Sequence, residues 1–166
     1  PQAQIVATNV NIGETKTSGW DLGVNYALGM NDWGSLSFAF MGTYLDEFVN
    51  TPLPGVSEYD CAGLYGPSNC GTPLPELRTR LRTTWATPWN VDVSLNWRFF
   101  DSVDIEYSSS DPDLSDPTLL FPLDKTLDSQ NYFDISAVYT FMEKYTLTAG
   151  INNVLDESPP LSGQVG

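Results

Sequence analysis

Histidine is absent from this 166-residue sequence, and basic residues are scarce. The lack of histidine removes the usual general base at neutral pH and the commonest transition-metal ligand, so serine-triad and histidine-zinc chemistry are excluded within this segment. Seven Lys and Arg face 21 Asp and Glu, which gives a formal net charge of -14. Such a charge repels nucleic acid and anionic lipid headgroups. We therefore predict no enzymatic activity, no cofactor, no metal site and no nucleic-acid partner.

Long apolar runs are also missing. No stretch reaches the roughly 18 apolar residues that a transmembrane helix requires. This does not exclude a membrane protein, because the strands of outer-membrane barrels cross the bilayer with about ten alternating residues each.

Cysteine occurs only twice, at Cys61 and Cys70, and the residues between them are rich in Gly, Pro, Ser and Asn. This short, turn-rich spacing favours a disulfide in an oxidising compartment. Two buried free thiols are the alternative.

Apolar and polar residues alternate along most of the chain, as in β-strands with one apolar face. From Trp20 to Leu28 the even positions are Trp, Leu, Val, Tyr and Leu, and the odd positions between them are Asp, Gly, Asn and Ala. The same alternation occurs in residues 36–44, 80–87, 91–107, 133–141 and 145–151. We predict an all-β protein in which residues 91–107 form the longest strand.

The beginning of the first strand allows two interpretations. Residues 4–28 form one long strand with bulges at Gly13 and Gly19, which we favour, or two strands with a turn near Glu14 and Thr15.

The connections between the predicted strands alternate in length. Short turns follow Leu28, Thr87 and Phe141, whereas long loops follow Val49 and Tyr107. Outer-membrane barrels have this asymmetry, with short periplasmic turns and long extracellular loops. Aromatic residues also lie at the predicted strand ends, which suggests two girdles: Trp33, Trp89 and Tyr145 near the short turns, and Tyr44, Tyr107 and Tyr132 near the long loops. A soluble β-sandwich with these rings in its core is the alternative.

Three segments carry a resemblance to a known family. Residues 9–22 (NVNIGETKTSGWDL) resemble a motif in the late barrel strands of TonB-dependent receptors, with Asp21 in place of the usual Glu. Residues 145–160 (YTLTAGINNVLDESPP) resemble the penultimate strand of that family and the loop after it. Residues 61–70, with the Arg-Thr-Arg that follows at 78–80, resemble a cysteine-bearing external loop of such receptors.

This resemblance implies an antiparallel up-and-down transmembrane β-barrel, of which residues 1–166 form one C-terminal segment with about six of roughly 22 strands. The plug domain and the final strand of the family are absent from the sequence. The implied location is the outer membrane of a Gram-negative bacterium. The implied partners are lipid, the rest of the barrel and its plug, the TonB energy-coupling complex through the missing N-terminal part, and a small-molecule ligand such as a ferric siderophore.

Polar positions that alternate with the apolar ones should face the barrel lumen and contact a plug or ligand. The candidates are Arg80, Arg82, Asp92, Asn96, Arg98, Asp134 and Asn152. Arg80 and Arg82 could attract an anionic substrate. We favour the alternative interpretation that their positive charges offset the negative charges of nearby loop carboxylates. Five carboxylates after Tyr107 could ligate calcium: Asp111, Asp113, Asp116, Asp124 and Asp128. Their spacing lacks the glycine and the terminal Glu of a calcium loop, which favours a solvated acidic loop. A soluble extracellular binding or adhesion module remains the alternative to a transport receptor.

Overall fold

The computed structural model describes residues 13–142 and 144–163. The predictions for residues 4–12, and for Glu143 within the last short turn, lie outside them. Six long strands form the main sheet: β1 (Glu14–Gly29), β2 (Ser35–Thr51), β5 (Leu77–Ala86), β6 (Val91–Phe100), β9 (Gln130–Phe141) and β10 (Tyr145–Ile151). The short strands are β3 (Tyr59–Asp60), β4 (Leu64–Tyr65), β7 (Val103–Ile105) and β8 (Thr126–Leu127).

The main sheet follows the chain in simple order, β1-β2-β5-β6-β9-β10, and each neighbouring pair is antiparallel. β3 adds only a short pairing to the end of β2. The predicted all-β, antiparallel fold is therefore confirmed. Within the described residues the sheet is open, with β1 and β10 at its edges, and the number of strands in a closed barrel stays a prediction. Among the described residues, no helix has the length and apolar composition needed to cross a membrane.

The strand register places the alternating apolar positions of all six strands on one face. Across the sheet, Val24 pairs with Phe40, Phe40 pairs with Leu81, and Leu81 pairs with Trp97. This apolar face is not covered by other described residues, since Trp20 is 74% exposed and Leu147 is 62% exposed. A β-sandwich would bury such a face against a second sheet. The structure therefore does not support the sandwich interpretation.

β1 is irregular at one point. Its register with β2 shifts between Ser18 and Gly19, so the predicted bulge at Gly19 is confirmed. A Cβ at this position would overlap the carbonyl oxygen of Tyr44, which requires glycine. Glu14 and Thr15 are paired with β2, so the chain does not turn at these two residues. Whether residues 4–28 form one strand or two stays a prediction, because residues 4–12 lie outside the described part of the chain.

The predicted strand over residues 91–107 is wrong. β6 ends at Phe100, and the chain turns away through Asp101, whose backbone N–H donates to the Leu77 carbonyl at 2.9 Å. β7 then joins a separate three-stranded sheet, β4-β7-β8, in which it runs parallel to β4. Alternation continues past Phe100 because both segments have an apolar face, but the two faces belong to different sheets. The longest strand among the described residues is β2.

The aromatic residues near the short turns lie as predicted, whereas two of those near the long loops do not. Trp33, Trp89 and Tyr145 are each more than half exposed at the short-turn end. Tyr107 is instead buried among the loops, because it follows β7 rather than a long β6. Tyr132 pairs with Arg98 on the polar face. A girdle that includes Tyr107 and Tyr132 at the loop end is therefore wrong.

The two long loops fold against each other into a small core. We call residues 52–76 the first long loop and residues 101–129 the second long loop. Their apolar side chains form one buried cluster of Tyr65, Val103, Ile105, Tyr107 and Leu127, and another of Cys61, Cys70 and Leu114. The largest fully buried side chains of the described chain all belong to these loops. The loops are therefore a packed unit at one end of the sheet.

Candidate functional site

Arginine is concentrated on the polar face of two neighbouring strands. Arg78, Arg80 and Arg82 occupy three successive alternate positions in the first half of β5, and Arg98 on β6 pairs with Arg80. These are all the arginines of the sequence. A chain with a net charge of -14 thus gathers its guanidinium groups in one row, which we call the arginine row. Such a row creates a local positive potential despite the overall negative charge.

One member of the row is held in a polar network. The Arg98 Nη2 donates to Asp134 Oδ1 at 3.0 Å, and its Nε donates to Oδ2 at 3.2 Å. Asp134 also accepts from Asn96 Nδ2 at 2.8 Å and from the backbone N–H of Asn153 at 3.0 Å. Arg98 lies 5.3 Å from the centre of the Tyr132 ring. This network ties β6, β9 and the segment after β10 together, which gives Arg98 and Asp134 a structural role.

The other arginines have no carboxylate partner among the described residues. Arg80 Nε donates to Asn96 Oδ1 at 2.7 Å, and Arg82 Nη2 approaches Ser94 Oγ at 3.4 Å. Within residues 13–142 and 144–163, Arg78, Arg80 and Arg82 form no salt bridge. No ion pair among the described residues therefore supports the expectation that Arg80 and Arg82 offset loop carboxylates. Contact with a plug or ligand stays a prediction for them.

The remaining predicted lumen residues lie apart from this group. Asp92 is on the polar face opposite Ala86, next to the short turn between β5 and β6. Asn152 follows the last residue of β10 and is exposed. The residue that reaches Asp134 is instead its neighbour Asn153. The structure brings together Arg80, Arg82, Asn96, Arg98 and Asp134, and it does not add Asp92 or Asn152.

A cavity of about 480 Å³ opens where the polar face meets the two long loops. Its volume lies in the range of small-molecule sites. The sheet contributes Arg78, Arg98, Phe100, Gln130 and Tyr132. The long loops contribute Pro73, Pro75, Asp101, Val103, Leu127 and Asp128, and the segment after β10 contributes Pro160. Of these residues, the sequence identified only Arg98 as a lumen-facing candidate. Arg78 and Tyr132 could have been found from strand alternation, since both share the parity of their polar-face neighbours.

A buried glutamate links the two long loops. Glu106 is completely buried, and its carboxylate accepts backbone N–H groups from Ser68 at 2.8 Å, Asn69 at 3.0 Å and Cys70 at 2.8 Å. Gly66 lies directly against it, and a Cβ there would overlap the Glu106 carboxyl group. Burying a carboxylate is costly unless its oxygens are hydrogen-bonded, and here three donors satisfy them. The sequence pattern gave no signal for this role.

The segment that donates to Glu106 is closed by a disulfide. The Sγ atoms of Cys61 and Cys70 lie 2.06 Å apart, and both residues are buried. The Tyr65 hydroxyl between them donates to the backbone carbonyl of Asp124 in the second long loop. The same stretch of the first long loop is thus stabilised by the disulfide, by the hydrogen bonds to Glu106 and by apolar packing.

The acidic part of the second long loop is organised by local hydrogen bonds. Asp116 accepts from the hydroxyl of Thr118 at 2.6 Å and from its backbone N–H at 3.0 Å. These hydrogen bonds, the hydroxyl first, hold the pKa of Asp116 below its ordinary value. Within the part of the chain that the structure describes, no three His, Cys, Asp or Glu side chains are grouped so that they could hold a metal ion.

Comparison with known proteins adds one finding. A family model described as TonB dependent receptor-like, beta-barrel, matches residues 1–154. No curated protein and no solved structure matches the sequence significantly. The family match spans all six long strands of the sheet and both long loops.

Proposed function

Because the chain belongs to the β-barrel of the TonB-dependent receptor family, we propose that it forms part of the wall of a transporter for a scarce nutrient such as a ferric siderophore. Membership of this family implies active transport across the outer membrane, and the family is one of transporters and receptors rather than enzymes. Our proposal also includes the identity of the nutrient, the contacts with a plug and a Gram-negative host.

The observation that carries the proposal is the separation of the two faces over the whole sheet. Six consecutive strands keep their apolar positions on one side and their polar positions on the other, and the parity of the pairing changes only at the bulge between Ser18 and Gly19 among the described residues. An outer-membrane barrel needs this pattern because lipid lies outside and water lies inside. In water, the same apolar face would favour aggregation.

The open edges of the sheet support a larger barrel around it. β1 and β10 end the strand order within the described residues. In the hydrocarbon region each unpaired backbone group costs several kcal/mol, so an open edge is unstable there. In our proposal these edges pair with further strands of the same receptor, which close the cylinder.

The positions of the loops give the orientation. Both long loops, with the disulfide and the acidic residues, project from the same end of the sheet, whereas the turns at Asn31 and Trp89 lie at the opposite end. We assign the long loops to the cell exterior and the short turns to the periplasm. A disulfide suits the exterior, where thiols are not kept reduced.

In this orientation the arginine row faces the lumen near its external mouth. Three of its guanidinium groups form no ion pair with described carboxylates, so they can contact an anionic ligand or acidic groups of a plug. A ligand is bound first from outside, and displacement of the plug by energy coupling from the inner membrane then releases it into the periplasm.

Uptake of radioactive iron tests the proposal. Cells that lack the receptor gene receive the full-length receptor, and iron is supplied as the siderophores of an iron-starved culture of the same bacterium. We expect uptake that needs both the receptor and an energised inner membrane. Uptake that is equal without the receptor would refute the iron substrate, and uptake that survives a protonophore would refute active transport.

Two variants of the full-length receptor test the arginine row in the same assay. Arg80→Ala combined with Arg82→Ala should reduce uptake about ten-fold or more, as expected when charge-assisted hydrogen bonds to a ligand are lost. Lys16→Ala is the matched control, because Lys16 is a cation outside the row that pairs with Glu47 at 3.5 Å on the exposed end of β1. Unchanged uptake in the double variant removes the arginine row from ligand binding.

A further inference from the structure

The cavity between the polar face and the long loops contains groups that lack partners. Gln130 lines it, and the Oε1 of this side chain is buried without a hydrogen-bond donor among the described residues. The Nε2 of the same amide donates to the Asp128 backbone carbonyl at 3.3 Å, so the amide orientation is held while its oxygen stays free. A buried acceptor without a donor costs free energy, which a bound ligand could recover.

The charges around the cavity are of both signs and do not cancel by direct contact. Arg78 forms no salt bridge with a described residue. Arg98 is already neutralised by Asp134. Asp101 uses one carboxylate oxygen to accept the Ser102 N–H at 2.8 Å, and the Asp128 carboxylate has no donor among the described residues. A ligand therefore meets one free cation, Arg78, and two carboxylates in the same cavity.

An apolar surface accompanies these charges. The rings of Phe100 and Tyr132 meet edge to face, with centres 6.2 Å apart. Val103 and Leu127, from the loop core, also line the cavity together with three prolines. Such a surface accommodates a flat or branched apolar group of a ligand.

We infer that this cavity binds a small zwitterionic, peptide-like molecule with an apolar side chain. Its carboxylate pairs with Arg78, and its ammonium group donates to Asp101, Asp128 and the Gln130 amide oxygen. The apolar side chain packs against Phe100 and Tyr132. A purely anionic ligand would meet the repulsion of two carboxylates, and a purely cationic one that of Arg78. The inference rests on the proposed function and narrows it, because it names a peptide-like molecule rather than a ferric siderophore as the substrate of the transporter.

Three related dipeptides test the charges of the ligand. The full-length receptor is purified in detergent, and calorimetric titration compares alanyl-phenylalanine with its N-acetyl form and its C-terminal amide. The free dipeptide should bind at least about ten-fold more tightly than either blocked form, because each block removes a charged partner. Equal affinity for all three, or no binding of the free dipeptide, would overturn the inference.

Two receptor variants test the position of the ligand. Arg78→Ala should weaken binding of the free dipeptide about ten-fold or more and leave binding of its amide unchanged, since the amide has no carboxylate for Arg78. Lys16→Ala is the matched control, because Lys16 is a cation outside the arginine row and does not line the cavity. Equal weakening by both variants, or by neither, would overturn the assignment of the site.

The same receptor separates the two proposals. Energy-dependent import of a nutrient without dipeptide binding would overturn the inference and leave the transport function in place. Dipeptide binding that depends on Arg78, without any energy-dependent import, would overturn the transport function and leave the site in place.

Discussion

Replacement of Glu106 by Gln should separate the two long loops without unfolding the sheet. The Glu106 carboxylate reaches across from the second long loop and accepts three backbone N–H groups of the first, at residues Ser68, Asn69 and Cys70. One oxygen serves Ser68 and the other serves both Asn69 and Cys70. A glutamine keeps only one acceptor oxygen, and its NH₂ group would point a donor at a donor. At least one backbone N–H therefore loses its partner in a buried place.

The size of the effect follows from these contacts. A hydrogen bond to a charged group contributes about 1.5–3 kcal/mol, and a buried donor left without a partner costs about 1–3 kcal/mol. Because Glu106 is fully buried, solvent does not replace the lost bond. We expect the loop unit to lose about 2–4 kcal/mol, which corresponds to an increase of about 30-fold to about 700-fold in its opening equilibrium.

Amide hydrogen exchange measures this opening directly. In the full-length receptor in detergent, peptides that cover residues 61–70 should exchange faster in Glu106→Gln by that factor, while peptides of β5 and β6 keep their protection. Glu58→Gln is the matched control, because Glu58 is an exposed residue of the first long loop, to which residues 61–70 also belong. If residues 61–70 keep the same protection in Glu106→Gln as in Glu58→Gln, the buried carboxylate does not hold the loops together.

Three further predictions concern other parts of the structure. Gly66→Ala should destabilise the same loop unit by about 1–3 kcal/mol, because the added Cβ overlaps the Glu106 carboxyl group. Proteases should then cleave the loops faster, and unchanged cleavage would contradict the close contact. Val24→Arg should lower the folding stability of the full-length receptor in lipid by about 2–4 kcal/mol, whereas Asn25→Arg on the opposite face should not; equal effects in urea titrations would refute the assignment of faces. Asp134→Asn should lower stability in detergent by about 1 kcal/mol, because it removes a partly buried ion pair that joins β6 to β9. A rise in stability would argue against that network.

The two faces of the sheet could be predicted from the sequence because side chains in a strand alternate strictly. Leu22, Val24 and Tyr26 lie on one face in the sequence pattern and in the strand register. Short and long connections could be read from runs of Gly, Pro, Asn and Asp. These are local properties, so a single sequence contains them.

The structure of the loops could not be predicted in this way. The pattern of residues 91–107 does not reveal that Val103–Ile105 leaves the sheet to pair with β4, because pairing partners are chosen by contacts distant in sequence. Glu106 looks like one more acidic loop residue until three N–H groups surround it. The position of Tyr132 near a strand end predicts a girdle residue, although its parity places it beside Arg98 on the polar face.

The candidate site also has one part that the sequence predicts and one part that it does not. The arginine row follows from alternation along β5, and its neighbour Arg98 needs only the pairing of β5 with β6. The cavity needs the folded loops as well, since Asp101, Asp128 and the loop prolines come from segments without a periodic pattern. No rule of spacing brings those residues next to Gln130.

The central claim is that the sheet separates lipid from a water-filled lumen, and spin labels along β1 test it most directly. Single cysteines at positions 22, 23, 24 and 25 of the full-length receptor are labelled in lipid bilayers, and collision with oxygen is compared with collision with a water-soluble nickel chelate. We expect labels at Leu22 and Val24 to favour oxygen and labels at Gly23 and Asn25 to favour the nickel chelate. Four labels with equal access to the nickel chelate would contradict a membrane-spanning wall.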